Sequence, residues 1–406
     1  MPQTVVVVGA SLGGLRAAEQ LRAQGFGGSV VVVGDEPHLP YNRPPLSKES
    51  LLGSGPDVTA EELAAGLAFR PRASATGIEW LLGQPAASAD LRARTVTLAD
   101  GTVLPYDALV VATGLRPRRL PQAEPAAGRH VVRTAGDAAR LRREVGPGTR
   151  AVVVGAGFIG CETAATLHTL GCDVVVVEPF PVPMVRGVGT DVGAALLAHH
   201  RDAGVRFITG QGVSELRGEG RVDAVVLDDG TVIECDVVVE SVGSHCNTEW
   251  LAGNGLDLSD GLLCDNDLHV EGRPDVVAVG DIARFPNPRF DDVPRRVEHW
   301  SVPGDSARRA ASSVIAHLSG EPLEAPPFAP LPAFWSDQFG LRLQSFGSPG
   351  LADSVEVAEG SLDRLTDGAA VVYRRSGATV GVLLVNIPVA RHPHYRSLVL
   401  ASDQLV

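Results

Sequence analysis

Two stretches of this chain repeat one order of apolar and polar positions. In the first, an apolar run at Thr4–Val8 leads into small residues and glycines, and apolar residues then recur at helical spacing over residues 11–24. A second apolar run at Val30–Val33 ends at an acid, Asp35. Short, wholly apolar runs of β-branched residues are typical of buried parallel strands. The pattern therefore predicts a strand–helix–strand unit with a glycine turn before its helix.

The same order returns in the middle of the chain. An apolar run at Ala151–Val154 precedes the segment Gly155-Ala156-Gly157-Phe158-Ile159-Gly160, and the next run, Val174–Val177, ends at Glu178. Two such units in one chain indicate two dinucleotide sites. We therefore expect an enzyme that passes electrons between two cofactors, one held tightly and one exchanged.

The segments around these two units predict the domain arrangement. Residues 107–114 and 275–281 form apolar strands that end near glycine and flank the second unit. Five prolines within 322–332 indicate a linker, and the strand-rich remainder predicts a small α+β domain. We predict an α/β chain with two nested Rossmann-like dinucleotide-binding domains and a C-terminal α+β domain. Their bounds are residues 1–114 with 247–323, residues 115–246, and residues 324–406.

The first glycine turn, Gly9 to Gly14, has the residue types that bind a pyrophosphate. Glycine allows a tight turn and a close approach of the backbone to phosphate, and the helix N-terminus offers free N–H groups. Ser11 stands at the middle glycine position, where its hydroxyl is a further donor but the match is weaker. Asp35 is placed to accept a hydrogen bond from a ribose hydroxyl. The alternative is a strand, turn and helix with no ligand.

The second glycine turn keeps all three glycines, Gly155, Gly157 and Gly160. Glu178 ends the following strand, and no arginine stands directly after it. A carboxylate at this position repels the 2′-phosphate of NADPH, so the sequence predicts a preference for NADH. Arg186 is the nearest cation that would favour NADPH instead.

Lys48 and Glu162 are the candidate catalytic pair. Lys48 follows the rigid segment Arg43-Pro44-Pro45-Leu46-Ser47 near the first site, and Glu162 lies two residues after Gly160. A cation and an anion projecting from two domains into one crevice would form an ion pair beside the reacting ring. The alternative is that both are ordinary solvated charges.

Two tryptophans stand in polar surroundings. Glu298-His299-Trp300 precedes a predicted helix that begins near Gly304, and the N-terminus of that helix would stabilise a group gaining negative charge. Phe334-Trp335-Ser336-Asp337-Gln338 follows the proline-rich linker. For both segments the alternative is an aromatic residue that belongs to the core.

Length and charge narrow the class of protein. The chain has 406 residues, which is enough for two or three domains, and a net charge of −13. That charge disfavours nucleic acid or an anionic membrane as a general partner. No apolar run approaches the ~18–20 residues of a transmembrane helix. No basic segment or cleavage site precedes Thr4, so we expect neither a membrane span nor a secretory signal.

The cysteines argue against some kinds of site. The chain has five, and no two of them have the CxxC or CxxxxC spacing. We therefore expect no metal site and no redox-active dithiol made by near neighbours. An odd number of cysteines without a signal peptide fits a reducing cytoplasm.

Several short segments spread over almost the whole chain match the motifs of one family. They are Gly34-Asp35-Glu36, Arg43-Pro44-Pro45-Leu46-Ser47-Lys48, Ala112-Thr113-Gly114-Leu115-Arg116-Pro117, Arg133-Thr134, Gly155 through Glu162, Val279-Gly280-Asp281, Glu298-His299-Trp300 and Phe334 through Gln338. Together they resemble the FAD-dependent NADH:ferredoxin reductases of the putidaredoxin reductase and ring-hydroxylating dioxygenase reductase type, within the glutathione-reductase-like superfamily.

The resemblance implies three domains, FAD at the first glycine turn and NAD at the second. It implies that the FAD phosphates lie at the turn that includes Ser11 and Leu12, the FAD ribose at Asp35, the ribityl chain at Asp281, and Lys48 and Glu162 as a pair over the reactive face of the flavin. The other positions implied around FAD are Ala86, Ala112, Thr113, Gly114, Arg43, Arg116, Arg133, Glu298, His299 and Trp300. Those implied around NAD are Gly155, Gly157, Phe158, Ile159, Gly160, Glu178, Arg186 and Gly243.

Three positions depart from the family's pattern. Ser11 replaces a glycine, Cys161 stands where leucine is common, and Cys246 stands where proline is common after Gly243. The last change implies a different loop on the nicotinamide side. The first helix lacks the cysteine pair of the disulfide-reducing relatives, which argues against a disulfide substrate.

The resemblance implies a flavoprotein that passes electrons from NADH through FAD to a small 2Fe–2S ferredoxin serving a monooxygenase or dioxygenase. Such ferredoxins are usually acidic, so a patch of arginines is a candidate docking surface. The candidates are Arg43, Arg70, Arg72, Arg295, Arg296, Arg308 and Arg309. The alternative is that these arginines are scattered over the surface and form no patch. Two alternatives stay open, namely an NADH-dependent reductase of rubredoxin, quinone or oxygen, and a non-catalytic flavoprotein that senses NADH. The sequence is compatible with a monomer or a homodimer.

Overall fold

The computed structural model describes residues 3–70, 72 and 75–401. The chain divides into two compact units by its packing. The first unit consists of Met1–Asn42, Ala64–Arg116 and His245–Ala333, and the second of Arg43–Leu63, Pro117–Ser244 and Phe334–Val406. Each unit holds one of the two glycine turns. The finer division into three domains stays a prediction.

A mostly parallel sheet forms the centre of the first unit. Its strands, in order across the sheet, are His269–Val270, Arg273–Ala278, Ala108–Val111, Thr4–Val8, Ser29–Val33 and Ile78–Leu81. The edge strand His269–Val270 runs antiparallel to its neighbour, and the other pairs are parallel. Strands from both sides of the second dinucleotide unit lie in this one sheet. The predicted α/β nesting of one unit within the other is therefore confirmed.

Two helices pack on this sheet through small and apolar side chains. Ala18 and Leu21 of the helix Leu12–Ala23 lie in one buried cluster with Ala307 and Val314 of the helix Val302–Ser319. The remaining strands of this unit are Ala86–Asp90, Thr95–Leu98, Val103–Pro105, Leu262–Leu263, Ala283–Asn287 and Asp291–Arg296, and its 3₁₀ turns are Glu249–Leu251 and Gly280–Ile282. The hairpin predicted around Asp100-Gly101 is present.

A five-stranded parallel sheet forms the centre of the second unit. Its strands, in order, are Arg206–Thr209, Asp173–Glu178, Arg150–Val154, Val237–Glu240 and Arg129–His130. A smaller sheet, Val213–Arg217, Ala224–Leu227 and Val232–Glu234, contains the predicted hairpin at Asp229-Gly230. The helices are Glu49–Leu52, Ala135–Glu144, Phe158–Thr169, Val185–Val188 and Thr190–Asp202, with a 3₁₀ turn at Pro44–Ser47.

The C-terminal part of the second unit is an α+β structure. Its sheet has the order Ala333–Gln338, Leu341–Gly347, Ala378–Val385, Ala369–Arg375 and Ser354–Gly360. The helix His392–Ala401 and the 3₁₀ turns Pro349–Leu351, Leu362–Asp367 and Val389–Arg391 complete it. The helix Ala60–Gly66 and the strands Leu115–Pro117 and Ser244–Cys246 lie where the chain passes from one unit to the other.

No helix within the described ranges is both long enough and apolar enough to cross a membrane.

Candidate functional site

The backbone of the first glycine turn leaves no space for side chains at two of its positions. Gly9 has φ +120°, and a Cβ added to it would lie 2.2 Å from the carbonyl oxygen of Ala112. A Cβ on Gly14 would lie 1.8 Å from the carbonyl oxygen of Gly9. The turn is therefore closed on the side of the sheet, and Ser11, in extended conformation, precedes the first helical residue, Leu12. The free N–H groups of this helix end are suited to a phosphate.

The second glycine turn has the same form. A Cβ on Gly155 would lie 2.4 Å from the carbonyl oxygen of Ser241, and one on Gly160 would lie 2.1 Å from the carbonyl oxygen of Gly155. The middle glycine, Gly157, has no atom within 4 Å of its added Cβ. Its missing side chain therefore leaves open space at the N-terminus of the helix Phe158–Thr169, as the approach of a pyrophosphate requires. Both turns fit the dinucleotides that the sequence predicts.

The two acids that follow the turns stand at different positions. The N–H of Gly9 donates to the carbonyl of Val33, and that of Gly155 donates to the carbonyl of Val177, so Glu178 corresponds to Gly34 and not to Asp35. Gly34 is required because Ala10 would lie 2.4 Å from an added Cβ. Asp35, one residue further, is exposed and free to face a ligand.

Glu178 is buried against its own glycine turn. Its Oε2 accepts a 2.5 Å hydrogen bond from the N–H of Ala156, and its Oε1 accepts one of 3.0 Å from the N–H of Phe180. The carboxylate therefore holds the turn in place and keeps a negative charge beside it. Arg186 is exposed, and its guanidinium lies 4.9 Å from the centre of the Phe180 ring.

Lys48 and Glu162 form an ion pair, as predicted from their motifs. The Lys48 Nζ lies 3.0 Å from Glu162 Oε1, and the two residues are 7% and 5% exposed, so they are not solvated surface charges. Lys48 joins the 3₁₀ turn Pro44–Ser47 to the helix Glu49–Leu52, and the buried Leu46 anchors that segment. Both residues of the pair belong to the second compact unit.

Two serines complete the surroundings of the Glu162 carboxylate. The Oγ of Ser47 donates to Oε2 at 2.7 Å, and the Oγ of Ser336 donates to Oε1 at 2.6 Å. Thr166, one helical turn after Glu162, donates to the carbonyl of Ser47 at 2.8 Å. The carboxylate of Glu162 thus accepts from one ammonium and two hydroxyls, and hydrogen bonds of this charged kind are the strong ones. This cluster presents a fixed cation, which suits a group that gains negative charge.

Comparison with known proteins identifies the family. Residues 3–307 match the family described as pyridine nucleotide-disulphide oxidoreductase, and residues 333–404 match the one described as reductase C-terminal. The chain belongs to the pyridine nucleotide-disulphide oxidoreductase family.

Relatives of this oxidoreductase carry narrower names. It is 35% identical to the probable ferredoxin reductase CtmF of Castellaniella defragrans, over 100% of this chain and 96% of that protein. It is 36% identical to the p-cumate 2,3-dioxygenase system ferredoxin–NAD(+) reductase component of Pseudomonas putida, over 84% of this chain and 81% of the relative. A crystal structure of the covalent putidaredoxin reductase–putidaredoxin complex matches with TM-score 0.87 and 32% identity, over 98% of this chain and 93% of that chain. The predicted family, fold class, oxidoreductase activity and use of FAD and NAD(H) are confirmed.

The other predicted FAD residues of the oxidoreductase lie in several elements. Thr113 donates to the carbonyl of Asn247 at 2.7 Å, which fixes the end of the strand Ala108–Val111. Arg116 is paired with Glu249 at 2.5 Å on the surface of the first unit. The further positions in this unit are Ala86 at a strand start, Ala112 and Gly114 after the strand end, and Asp281 in the 3₁₀ turn Gly280–Ile282.

The segment Glu298-His299-Trp300 directly precedes the helix Val302–Ser319, as predicted. Trp300 is 43% exposed, so it is not a core tryptophan, and Glu298 is exposed as well. Burial of the imidazole lowers the pKa of His299 to about 4, which keeps it neutral near pH 7.

The remaining predicted residues belong to the second unit. Arg43 donates to the carbonyl of Arg133 at 2.8 Å. Phe158 packs on Phe334 with ring centres 4.6 Å apart, and Ile159 is 49% exposed at the helix start. Gly243 has φ +99° with open space around its added Cβ. Sequence reasoning missed Ser47 and Ser336 as functional residues, although both lie inside motifs that it singled out.

The arginines considered for partner docking are mostly paired with acids. Arg309 is 8% exposed and is paired with Asp267 at 3.2 Å, so its inclusion as a docking residue was wrong. Pairing also holds for four others, namely Arg72 with Glu19, Arg295 with Asp291, Arg296 with Asp260 and Glu298, and Arg308 with Asp305. Such pairing reduces the positive field that they offer to an acidic partner.

Proposed function

We propose that this chain passes electrons from NADH through FAD to a small 2Fe–2S ferredoxin that supplies a monooxygenase or dioxygenase. The observation that carries the proposal is the buried Lys48–Glu162 pair in a chain with two glycine turns of the same backbone form. The names of the relatives support the choice of a ferredoxin as electron acceptor.

The residues divide the binding work between the two turns. FAD binds at Gly9–Gly14, with its phosphates at the helix N-terminus and its ribose at the exposed Asp35. NADH binds at Gly155–Gly160, where the open space at Gly157 admits the pyrophosphate. The buried charge of Glu178 repels a 2′-phosphate, so NADH is preferred over NADPH.

FAD supplies the ability to accept two electrons as a hydride and to release them one at a time. The protein orients the reacting groups and stabilises the negative charge that develops on them. Lys48 holds a positive charge where negative charge develops, and Glu162 fixes the ammonium so that it does not turn away. In the first unit, the N-terminus of the helix Val302–Ser319, which follows Trp300, offers a positive end to a group that gains negative charge.

We also propose a cytoplasmic location. All five cysteines are free thiols, and four of them are buried. A reducing compartment keeps such thiols reduced. A measured distribution of the protein in cell fractions tests this point.

Anaerobic titration and rapid mixing test the function. The purified protein is expected to show a flavin absorption spectrum that NADH bleaches at far lower concentration than NADPH. Stopped-flow mixing with a 2Fe–2S ferredoxin is expected to show electron transfer much faster than from free reduced FAD. Transfer no faster than from free flavin would exclude the ferredoxin and leave rubredoxin, quinone or oxygen as the acceptor. A flavin that NADH reduces but that turns over slowly even with ferricyanide would indicate an NADH sensor.

A further inference from the structure

A buried chain of hydrogen bonds leads from Glu162 into the C-terminal sheet. Ser336 donates to Glu162, and the Nε2 of Gln338 donates to the Oγ of Ser336 at 2.9 Å. Behind Gln338, the Nε2 of His200 lies 2.8 Å from its Oε1. Ser336, Gln338 and His200 are each at most 1% exposed. Four side chains from three separate segments of sequence therefore form one continuous polar path inside the second unit.

Every hydrogen bond of this path points toward Glu162. The amide oxygen of Gln338 accepts, so His200 carries its proton on Nε2 and donates. Burial lowers the pKa of His200 to about 4, so the imidazole is neutral, and its Nδ1 has no hydrogen-bond partner among the described residues. The Gln338 amide then donates to Ser336, and the hydroxyl of Ser336 donates to the carboxylate. The path ends on a negative charge, and each donor polarises the next.

The path controls the geometry of the ion pair. Oε1 of Glu162 accepts from both Ser336 and Lys48, whereas Oε2 accepts from Ser47. Loss of the Ser336 hydroxyl removes one of the two donors on the oxygen that Lys48 approaches. The carboxylate then keeps only Lys48 and Ser47, so its orientation is less restricted and its charge is less compensated.

We propose that Ser336, supported by Gln338 and His200, is a positioning residue that holds the Lys48–Glu162 pair in its working orientation during reduction by NADH. The C-terminal α+β part thereby takes part in the reductive step. This inference rests on the proposed function, since it assigns the pair to the flavin.

The same sheet offers a matched control. Ser345, in the neighbouring strand Leu341–Gly347, is as completely buried as Ser336, but its Oγ donates to the backbone carbonyl of Val382 at 3.1 Å. Ser336→Ala and Ser345→Ala remove the same atom from the same sheet. Only Ser336 contacts Glu162, so a general effect of losing a buried hydroxyl appears in both variants and a positioning effect in one.

The experiment uses the full-length holoprotein and five variants, S336A, S336C, S345A, E162Q and S336A/E162Q. The rate of flavin reduction by saturating NADH is measured anaerobically without any ferredoxin, and the midpoint potential of bound FAD is measured by equilibrium titration. S336A is expected to slow flavin reduction about tenfold, the size of one charge-assisted hydrogen bond. It is also expected to make the midpoint potential more negative, because the carboxylate loses a compensating donor. S336C, with a weaker donor, is expected to lie between S336A and the wild type. S345A is expected to change neither quantity.

The double variant tests whether Ser336 acts through Glu162. In the E162Q background, S336A is expected to change the rate less than twofold, because the interaction that it removes is already impaired. Equal behaviour of S336A and S345A overturns the inference, as does a double variant in which the two rate effects multiply. If S336A and S336C both fail to fold, Q338M tests the next link with the same two readouts and the same expected direction.

Failure of the proposed function gives a different result. If NADH reduces the wild-type protein but the reduced protein does not reduce ferredoxin, the proposed acceptor is wrong. The positioning inference still holds in that case, provided that S336A slows flavin reduction. If the wild type reduces ferredoxin normally but S336A and S345A have the same rate of flavin reduction and the same midpoint potential, the positioning inference alone is wrong. A protein that takes up no flavin removes both.

Discussion

The two glycine turns have one backbone and two kinds of surroundings. In both, the first and last glycines are required by backbone carbonyls within 2.5 Å of an added Cβ. They differ at the end of the second strand, where the first turn has Gly34 beside Ala10 and the second has the buried Glu178 bonded to Ala156. The backbone conformation of both turns is thus fixed by steric exclusion of side chains. The charge beside the turn depends instead on one residue, Gly34 in the first turn and Glu178 in the second.

The helices that follow the turns differ as well. The buried face of Leu12–Ala23 is apolar apart from Glu19, whereas the helix Phe158–Thr169 buries Glu162, Thr163 and Thr166. The first helix therefore offers a ligand little besides its N-terminus. The second helix offers the carboxylate of Glu162 as well, and the buried path of hydrogen bonds ends on that carboxylate.

The largest expected effect tests the shared backbone. Gly14→Ala places a Cβ 1.8 Å from the carbonyl oxygen of Gly9, so the helix must shift, and we expect a loss of about 3 kcal/mol or more in the free energy of unfolding. FAD content is expected to fall with it. Gly157→Ala, with open space around the new methyl, is expected to change stability by less than about 0.5 kcal/mol and to weaken NADH binding. Thermal unfolding and the flavin-to-protein absorbance ratio measure both; a stable, fully flavinylated G14A protein would contradict the steric argument.

The next prediction uses pH to test His200, the last residue of the buried path that leads to Glu162 in the helix Phe158–Thr169. Unfolded His200 binds a proton near its ordinary pKa of about 6.5, whereas the folded residue stays neutral down to about 4. Its contribution to stability is therefore complete above about pH 6.5 and is lost as the pH falls toward 4, by about 3 kcal/mol. His200→Phe places a ring beside Phe207 and Phe339 and removes the proton site.

The measurement is the free energy of unfolding at pH 7 and pH 4.5 for the wild type and H200F. We expect the wild type to lose more stability than the variant over this interval. His299 and His130 are present in both proteins, so their contributions cancel in the difference. Equal losses would mean that His200 is not buried as a neutral group.

A smaller effect tests the acid that distinguishes the two turns. Glu178→Gln keeps the size of the side chain, but an amide cannot accept from both Ala156 and Phe180, so the second turn loosens. We expect the KM for NADH to rise about tenfold, since hydrogen bonds to charged groups contribute ~1.5–3 kcal/mol. FAD content is expected to stay unchanged. Asp35→Asn, at an exposed position, is the control in the first turn and is expected to leave the KM for NADH unaltered.

The smallest effect concerns coenzyme choice. Arg186 stacks on Phe180 at the end of the strand that bears Glu178, and it is the exposed cation of that segment. Arg186→Ala is expected to lower kcat/KM for NADPH severalfold and to change that for NADH less than twofold. Steady-state rates with ferricyanide as acceptor give both values. An equal fall for the two coenzymes would show that Arg186 supports the loop rather than the phosphate.

The sequence predicts the turns well because their geometry is local. The glycines and the apolar run gave the strand Thr4–Val8 at its observed bounds and the following helix to within a residue at each end. The predicted strand Ala151–Val154 is one residue longer, beginning at Arg150. The different positions of Asp35 and Glu178 relative to the two glycine turns were not visible in the sequence, because they depend on which residues pair across the sheet and not on spacing from the last glycine.

The site was predicted in part for the same reason. Lys48 and Glu162 were found through their motifs, but their depth of burial follows from tertiary packing. Ser336 and Gln338 alternate with Trp335 and Asp337 along one strand, which is the signal that two polar side chains face inward. His200 gave no signal, because it lies in a helix whose neighbours in sequence do not reach the site.

The order of residues along the chain determines when the contact between Ser336 and Glu162 can form during synthesis. During synthesis Lys48 is added before Glu162, and Ser336 is added only after the last segment of the first unit, which ends at Ala333. Until that strand emerges, the nascent polypeptide holds both charges without the hydroxyl that aligns them. We therefore expect a fragment that stops before residue 336 to lack the hydroxyl that donates to Glu162.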